Sequence, residues 1–148
     1  MATLLRSITL LVCALGCSVL AQANAKNTAD VLLDEALTLI LSAPERASEP
    51  LAKIQAVQDT LTPDQNHRYH AYQAKYLGWQ GRHEERIELV RSIISEVTAP
   101  ARRASLLYDL VDGNRALGQY ENALQAMNES ILLLPQIASK GAKLLVLE

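Results

Sequence analysis

Phenylalanine is absent from this chain, and its six aromatic residues are five tyrosines and a single tryptophan. A hydrophobic core must therefore be assembled from Leu, Ile, Val and Ala. The only two cysteines, Cys13 and Cys17, lie close to the N-terminus. The chain beyond them has neither disulfide nor thiolate to offer, so an oxidising compartment poses no folding problem and thiol chemistry is excluded. There is no excess of positive charge: 14 Lys and Arg stand against 16 Asp and Glu. That balance disfavours nucleic acid and anionic membrane surfaces as partners. After the N-terminal run no apolar segment approaches the roughly 20 residues that a bilayer span needs. No low-complexity linker divides the rest, so a single domain is expected.

Arg6 is the only charge before Lys26, and an apolar run from Ile8 to Leu20 follows it. A charged start, an apolar middle and the small-x-small stretch Ala23-Asn24-Ala25 are the parts of a secretory signal peptide. Residues 1–25 are expected to be removed on export, leaving residues 26–148. This remainder carries 13 of the 14 basic residues and all 16 acidic ones, a net charge of about −3. Two other readings compete. A membrane anchor would need a longer run, without the interruptions at Thr9, Gly16 and Ser18. Lipidation of Cys17 is suggested by Ala14-Leu15-Gly16-Cys17, although Ala14 stands where Leu is usual.

From Thr28 onward apolar residues recur at helical intervals, and no segment alternates with the period of a half-buried strand. The expectation is an all-α protein with helices over 28–42, 48–61, 64–80, 82–97, 101–117 and 120–134, and a further partial one from Ile137. Pro44, Pro63, Pro100 and Pro135 fall in the connections, and Pro50 in the first turn of the second helix. The connections are short, one holding Gly81 and another Gly118-Gln119, so consecutive helices must fold back antiparallel. The punctuation is periodic as well, since Gly81 and Gly118 are 37 residues apart, as are Pro63 and Pro100. Two helices per such period mark a stack of helical hairpins.

Residues 104–135 resemble the tetratricopeptide repeat. Gly118 stands at the turn between helices, Tyr120 opens the second helix, Ala123 is the small residue where the two helices touch, and Pro135 ends the unit. Leu124, Met127, Ile131 and Leu134 form the stripe that would seal one hairpin against the next. Residues 67–98 keep Gly81, Ile87 and Ile94, but His83 replaces the tyrosine and Arg86 the small alanine. Arg86 puts close approach in doubt unless its stem packs and its head reaches water. Residues 28–63 match only in length and in the terminal Thr62-Pro63. The resemblance implies a short right-handed solenoid of about three hairpins plus a partial C-terminal helix, covering nearly all of residues 26–148.

The order of a signal peptide, "LLDEAL", "LTPDQ", "YLGWQGRHEERIELV" and a last unit ending "LLLPQI" also resembles the periplasmic sensor region of bacterial diguanylate cyclases that carry such repeats. In that family a transmembrane helix and a cytoplasmic cyclase follow the repeats. The resemblance implies a sensory or docking part in the periplasm and no cyclase activity in this chain.

Few constellations suit catalysis. There is no Gly-x-Ser-x-Gly turn, no Gly-rich phosphate loop and no zinc-protease helix, since His83-Glu84-Glu85-Arg86 lacks a second histidine and reads as a solvated face. Asp109 and Asp112 lie one turn apart, as carboxylates on exposed helices often do. Asp64, His67 and His70 are spaced by threes but lack a fourth ligand, and they read as polar surface around a helix start. Neither an enzyme, nor a metal site, nor a cofactor is expected.

Tyr69, Tyr72, Tyr76 and Trp79 gather most of the aromatics on one side of one helix. Such a stripe usually faces a core, but the first helices of stacked hairpins also line a groove. The repeat pattern turns Arg68, Tyr72, Lys75 and Trp79 toward it from one unit, and Tyr108, Asp112 and Arg115 from the next. Rings beside cations suit a protein or extended peptide partner, or a small acidic ligand. A plain solvated groove is the competing reading. Finally, the consecutive Leu144, Leu145, Val146 and Leu147 would leave apolar surface bare. The expectation drawn from them is self-association through the C-terminal helix, or a chain that continues beyond Glu148.

Overall fold

A computed structural model describes residues 28–137. The signal-peptide reading of residues 1–25, the Cys17 alternative and the C-terminal run lie outside the described residues. Helical backbone occupies residues 28–42 (α1), Ser48–Gln55 (α2), Pro63–Trp79 (α3), His83–Ile93 (α4), Pro100–Ala116 (α5) and Tyr120–Leu133 (α6). Single 3-10 turns stand at Pro44–Arg46, Gln58–Thr60 and Leu134–Gln136. Among the described residues there is no strand, as the helical periodicity predicts. No described helix is long and apolar enough to cross a membrane.

The boundaries differ from expectation where short polar side chains compete for the backbone. α2 stops at Gln55, well short of Leu61, and the Thr60 hydroxyl donates to the Val57 carbonyl at 2.7 Å within the following 3-10 turn. α4 ends at Ile93 instead of Val97, and Ser92 donates to the Leu89 carbonyl in its last turn. Pro63 and Pro100 are not in the connections. They are the first residues of α3 and α5, where a missing N–H is one of those that no helix bonds. Pro50 does sit in the first turn of α2, and is buried. The start of α3 is a full capping box: the Thr62 hydroxyl accepts from the Gln65 N–H, and the Gln65 side chain accepts from the Thr62 N–H at 3.0 Å.

The two glycine turns are near copies of each other. Gly81 has φ +74° and Gly118 φ +70°, in the left-handed region that favours glycine. After α3, Arg82 N–H bonds to the Leu77 carbonyl and Gly81 N–H to that of Gly78. After α5, Gln119 N–H bonds to the Asn114 carbonyl and Gly118 N–H to that of Arg115. Both are Schellman closures with the same bond pattern. The residue that follows each glycine also adopts one conformation, with φ −86° and ψ 64° at Arg82 and φ −87° and ψ 63° at Gln119.

Packing follows from these turns. α3 lies against α4, α4 against α5, α5 against α6, and α3 also touches α5. One apolar cluster joins Ala71 and Ala74 of α3, Ile87 and Val90 of α4, Leu107 and Val111 of α5, and Ala123 and Ala126 of α6. A second joins Leu33 and Ala36 of α1, Leu51 and Ile54 of α2, and Tyr69 of α3, with Tyr72 packed against both. The core is aliphatic, as the lack of phenylalanine requires. Ala123 is buried where α6 meets α5, and Tyr120 does open α6, but its ring is exposed. The hairpin that the stripe of Leu124, Met127, Ile131 and Leu134 would seal lies outside the described residues. α6 buries its small residues Ala123, Ala126 and Ser130, while Leu124 stays 62% exposed and Ile131 44%. Small side chains let α6 pack close on α5, while Met127 and Leu134 of the stripe are half-buried against core clusters.

Candidate functional site

The seven residues assigned to the groove lie on α3 and α5, which touch, but ion pairs occupy much of their charge. Arg68 donates to Asp30 at 3.0 Å and to Asp34 at 2.6 Å, both on α1. Lys75 donates to both carboxylate oxygens of Asp109 at 3.3 Å. Asp112 accepts from Arg86 at 2.7 Å. Tyr72 is packed against the two core clusters. Two of the seven remain open to a partner. Trp79 is 51% exposed and stacks on Tyr76 with ring centroids 5.7 Å apart. Arg115 is exposed and makes no ion pair among the described residues. Tyr108 is half-buried on α5, two turns before Arg115. The arrangement therefore offers an aromatic platform and one uncommitted cation instead of a row of free charges.

Arg86 overturns the expectation that its head escapes to water. The side chain is almost wholly buried, and its guanidinium spans two carboxylates of α5, Asp109 at 2.6 Å and Asp112 at 2.7 Å. Gly78 on α3 makes the room: a Cβ there would lie 2.7 Å from Arg86 Nη1 and 3.0 Å from Cζ. Burial opposes the charge of Arg86, but the Asp109 and Asp112 carboxylates outweigh it and raise the pKa above the ordinary guanidinium value. With Lys75 on the other side of Asp109, the cluster joins α3, α4 and α5 through four charges that balance to zero. Glu84 and Glu85 of the same stretch are exposed as expected, and Arg82 holds Glu85 in the turn.

Asp64, His67 and His70 are not brought together. Asp64 accepts from Arg102 of α5, which by hydrogen bonding holds its carboxyl below the usual range. His67 faces Glu96 at 3.7 Å, and His70 lies 3.4 Å from the Gln58 amide. Burial, reinforced by the neighbouring His67, pushes the His70 imidazole below its ordinary pKa of 6.5. The capping box and the Arg86 cluster both escaped the sequence reading. The Thr62-x-x-Gln65 spacing could have revealed the first. A glycine in a helix interior, Gly78, eight residues before a misplaced arginine is the signal for the second. Comparison with protein-family models, with curated proteins and with solved structures found no match to this chain.

Proposed function

We propose that this chain is an exported, helical-repeat binding module that recognises an extended protein segment across α3 and α5 and catalyses nothing. The observation that carries the reading is the pair of matching glycine turns 37 residues apart, each closing a helical hairpin and each followed by the same backbone conformation. Repetition of one supersecondary unit is how solenoids create extended binding faces. With Arg68, Lys75 and Asp112 held in ion pairs, Trp79 and Arg115 are the contacts left for a partner, with Tyr108 between the polar and packed parts of α5. An aromatic anchor and an arginine are the residue types that dominate interface energetics. The N-terminal pattern puts this work outside the cytoplasm, and the resemblance to periplasmic sensor regions makes a sensory or docking role the leading one. A free-standing scaffold or adaptor is the second reading, favoured by the exposed apolar side of α6, where Tyr120, Leu124, Ile131 and Leu132 are uncovered among the described residues.

An array of acidic extended peptides tests the leading reading. Wild-type protein should retain a subset of them, and Trp79→Ala combined with Arg115→Glu should weaken retention at least tenfold while helicity by circular dichroism is unchanged. Equal retention by the double variant would move the binding face elsewhere. Intact mass of the exported protein should begin at Lys26, and a retained Met1 or a lipid on Cys17 would overturn the export scheme.

A further inference from the structure

α2 is eight residues long and α3 seventeen, so α2 covers only part of the α3 side that faces it. Alongside α2 and the C-terminal half of α3 lies a cleft of about 260 Å³, on residues other than the seven assigned to the groove. Ser48 and Gln55 of α2 and Tyr69, Gln73 and Tyr76 of α3 line it, and Arg82 stands at its edge. No carboxylate is among the lining residues, and the Arg82 guanidinium is taken up by Glu85 and the side-chain amide oxygen of Gln80. The cleft is therefore electrically neutral but rich in groups that both donate and accept.

Three of its polar side chains are free. The Tyr69 residue is 2% exposed, and its hydroxyl makes no hydrogen bond among the described residues and opens to solvent. The amides of Gln55 and Gln73 likewise have no partner among the described residues. A hydroxyl that opens into the cleft and has no protein partner is available to a ligand without breaking any bond within the protein. Tyr76 contributes an aromatic wall, held in place by its stack on Trp79. The volume is slightly below the range of about 300–1,000 Å³ that suits drug-sized ligands, which fits one small ring.

We infer that this cleft binds a neutral saccharide unit. A sugar ring presents apolar C–H groups to an aromatic wall and alternating hydroxyls to side chains that donate and accept. An acidic or basic ligand would find no compensating charge.

The protein carries one tryptophan, Trp79, stacked on the cleft wall, so its emission reports entry of a ligand. The full-length chain is titrated with cellotriose, with triacetylchitotriose, with a blocked neutral tripeptide and with trigalacturonate. A neutral trisaccharide should shift the emission saturably, and the tripeptide and the acidic sugar should not. Tyr69→Phe should weaken saccharide binding about fivefold to tenfold without lowering the melting temperature, because the deleted hydroxyl bonds to nothing in the protein. Gln73→Leu should weaken it as well. Failure of both neutral trisaccharides to bind, preference for the peptide or the acidic sugar, or unchanged binding by Tyr69→Phe would each overturn the inference. Because acidic-peptide binding depends on Trp79 and Arg115, loss of that activity leaves the Tyr69→Phe result interpretable.

Discussion

The hairpins α3–α4 and α5–α6 close with the same turn but place their small contact residue on different helices. At the crossing of the second stands Ala123, buried and uncharged. Thirty-seven residues earlier the first hairpin has Arg86, and the room comes from Gly78 on the facing helix. The residue that corresponds to Gly78 in the second hairpin is Arg115, which is exposed. The small residue thus stands on the first helix of one unit and on the second helix of the other. Close approach demands a small residue on one side of the crossing and does not dictate which side. Placing the large residue on α4 has a further result, since its charge reaches α5 and joins the two hairpins through Asp109 and Asp112.

The sharpest way to break this comparison is Arg86→Ala, which gives the first hairpin the residue of the second. If the two crossings were interchangeable it would be harmless. Instead it leaves Asp109, 1% exposed, with only Lys75 for a partner. Removing one member of a buried pair costs about 3–5 kcal/mol, and urea denaturation should show a loss of that order. Arg86→Met together with Asp109→Leu should recover much of it, because an apolar pair of similar volume carries no unpaired charge. A loss below about 1 kcal/mol for the single variant would mean that the cluster is not holding the hairpins together.

The reverse exchange is smaller in effect. Ala123→Leu puts bulk at the second crossing, where no glycine faces it, and overpacking of this kind costs about 1–3 kcal/mol. Thermal melting unchanged within error would show that Ala123 is not at the contact.

The smallest effect tests the shared part. Gly81→Ala and Gly118→Ala each force a side chain into the left-handed region, at about 1–2 kcal/mol. Neither added Cβ would meet anything within 4 Å, so backbone conformation is the whole effect. The two losses should agree within about 0.5 kcal/mol. A clear inequality would show that the turns only look alike.

The helices, the two turns and the aliphatic core were legible because each rests on local rules: apolar spacing, the glycine that accepts positive φ, and proline at a first turn. Ends such as Gln55 and Ile93 were not, since the apolar spacing runs on past both into 3-10 and turn backbone. The groove was half legible. Repeat register brought the seven residues onto α3 and α5, but partners 34 to 38 residues away claim Arg68 and Lys75. No pattern within a single helix announces such a partner. The Tyr69 cleft depends on how α2 packs beside α3, a contact between helices that neither one's own pattern sets.

The ion pairs on α1, α3 and α5 give that side of the molecule a different response from the rest. Arg68 reaches back to Asp30 and Asp34 of α1, and Arg102 reaches back to Asp64 of α3, so alternate helices are laced by bonds open to solvent. Exposed pairs of this kind weaken as dissolved ions screen them, over a distance that shrinks from about 10 Å at 0.1 M to about 3 Å at 1 M salt. The contacts among α4, α5 and α6 are apolar, apart from the buried Arg86 cluster, and do not share that sensitivity. Added salt should therefore take stability from the α1–α3–α5 side first, by no more than about 1 kcal/mol for each pair, and leave the packing of α6 on α5 as it was.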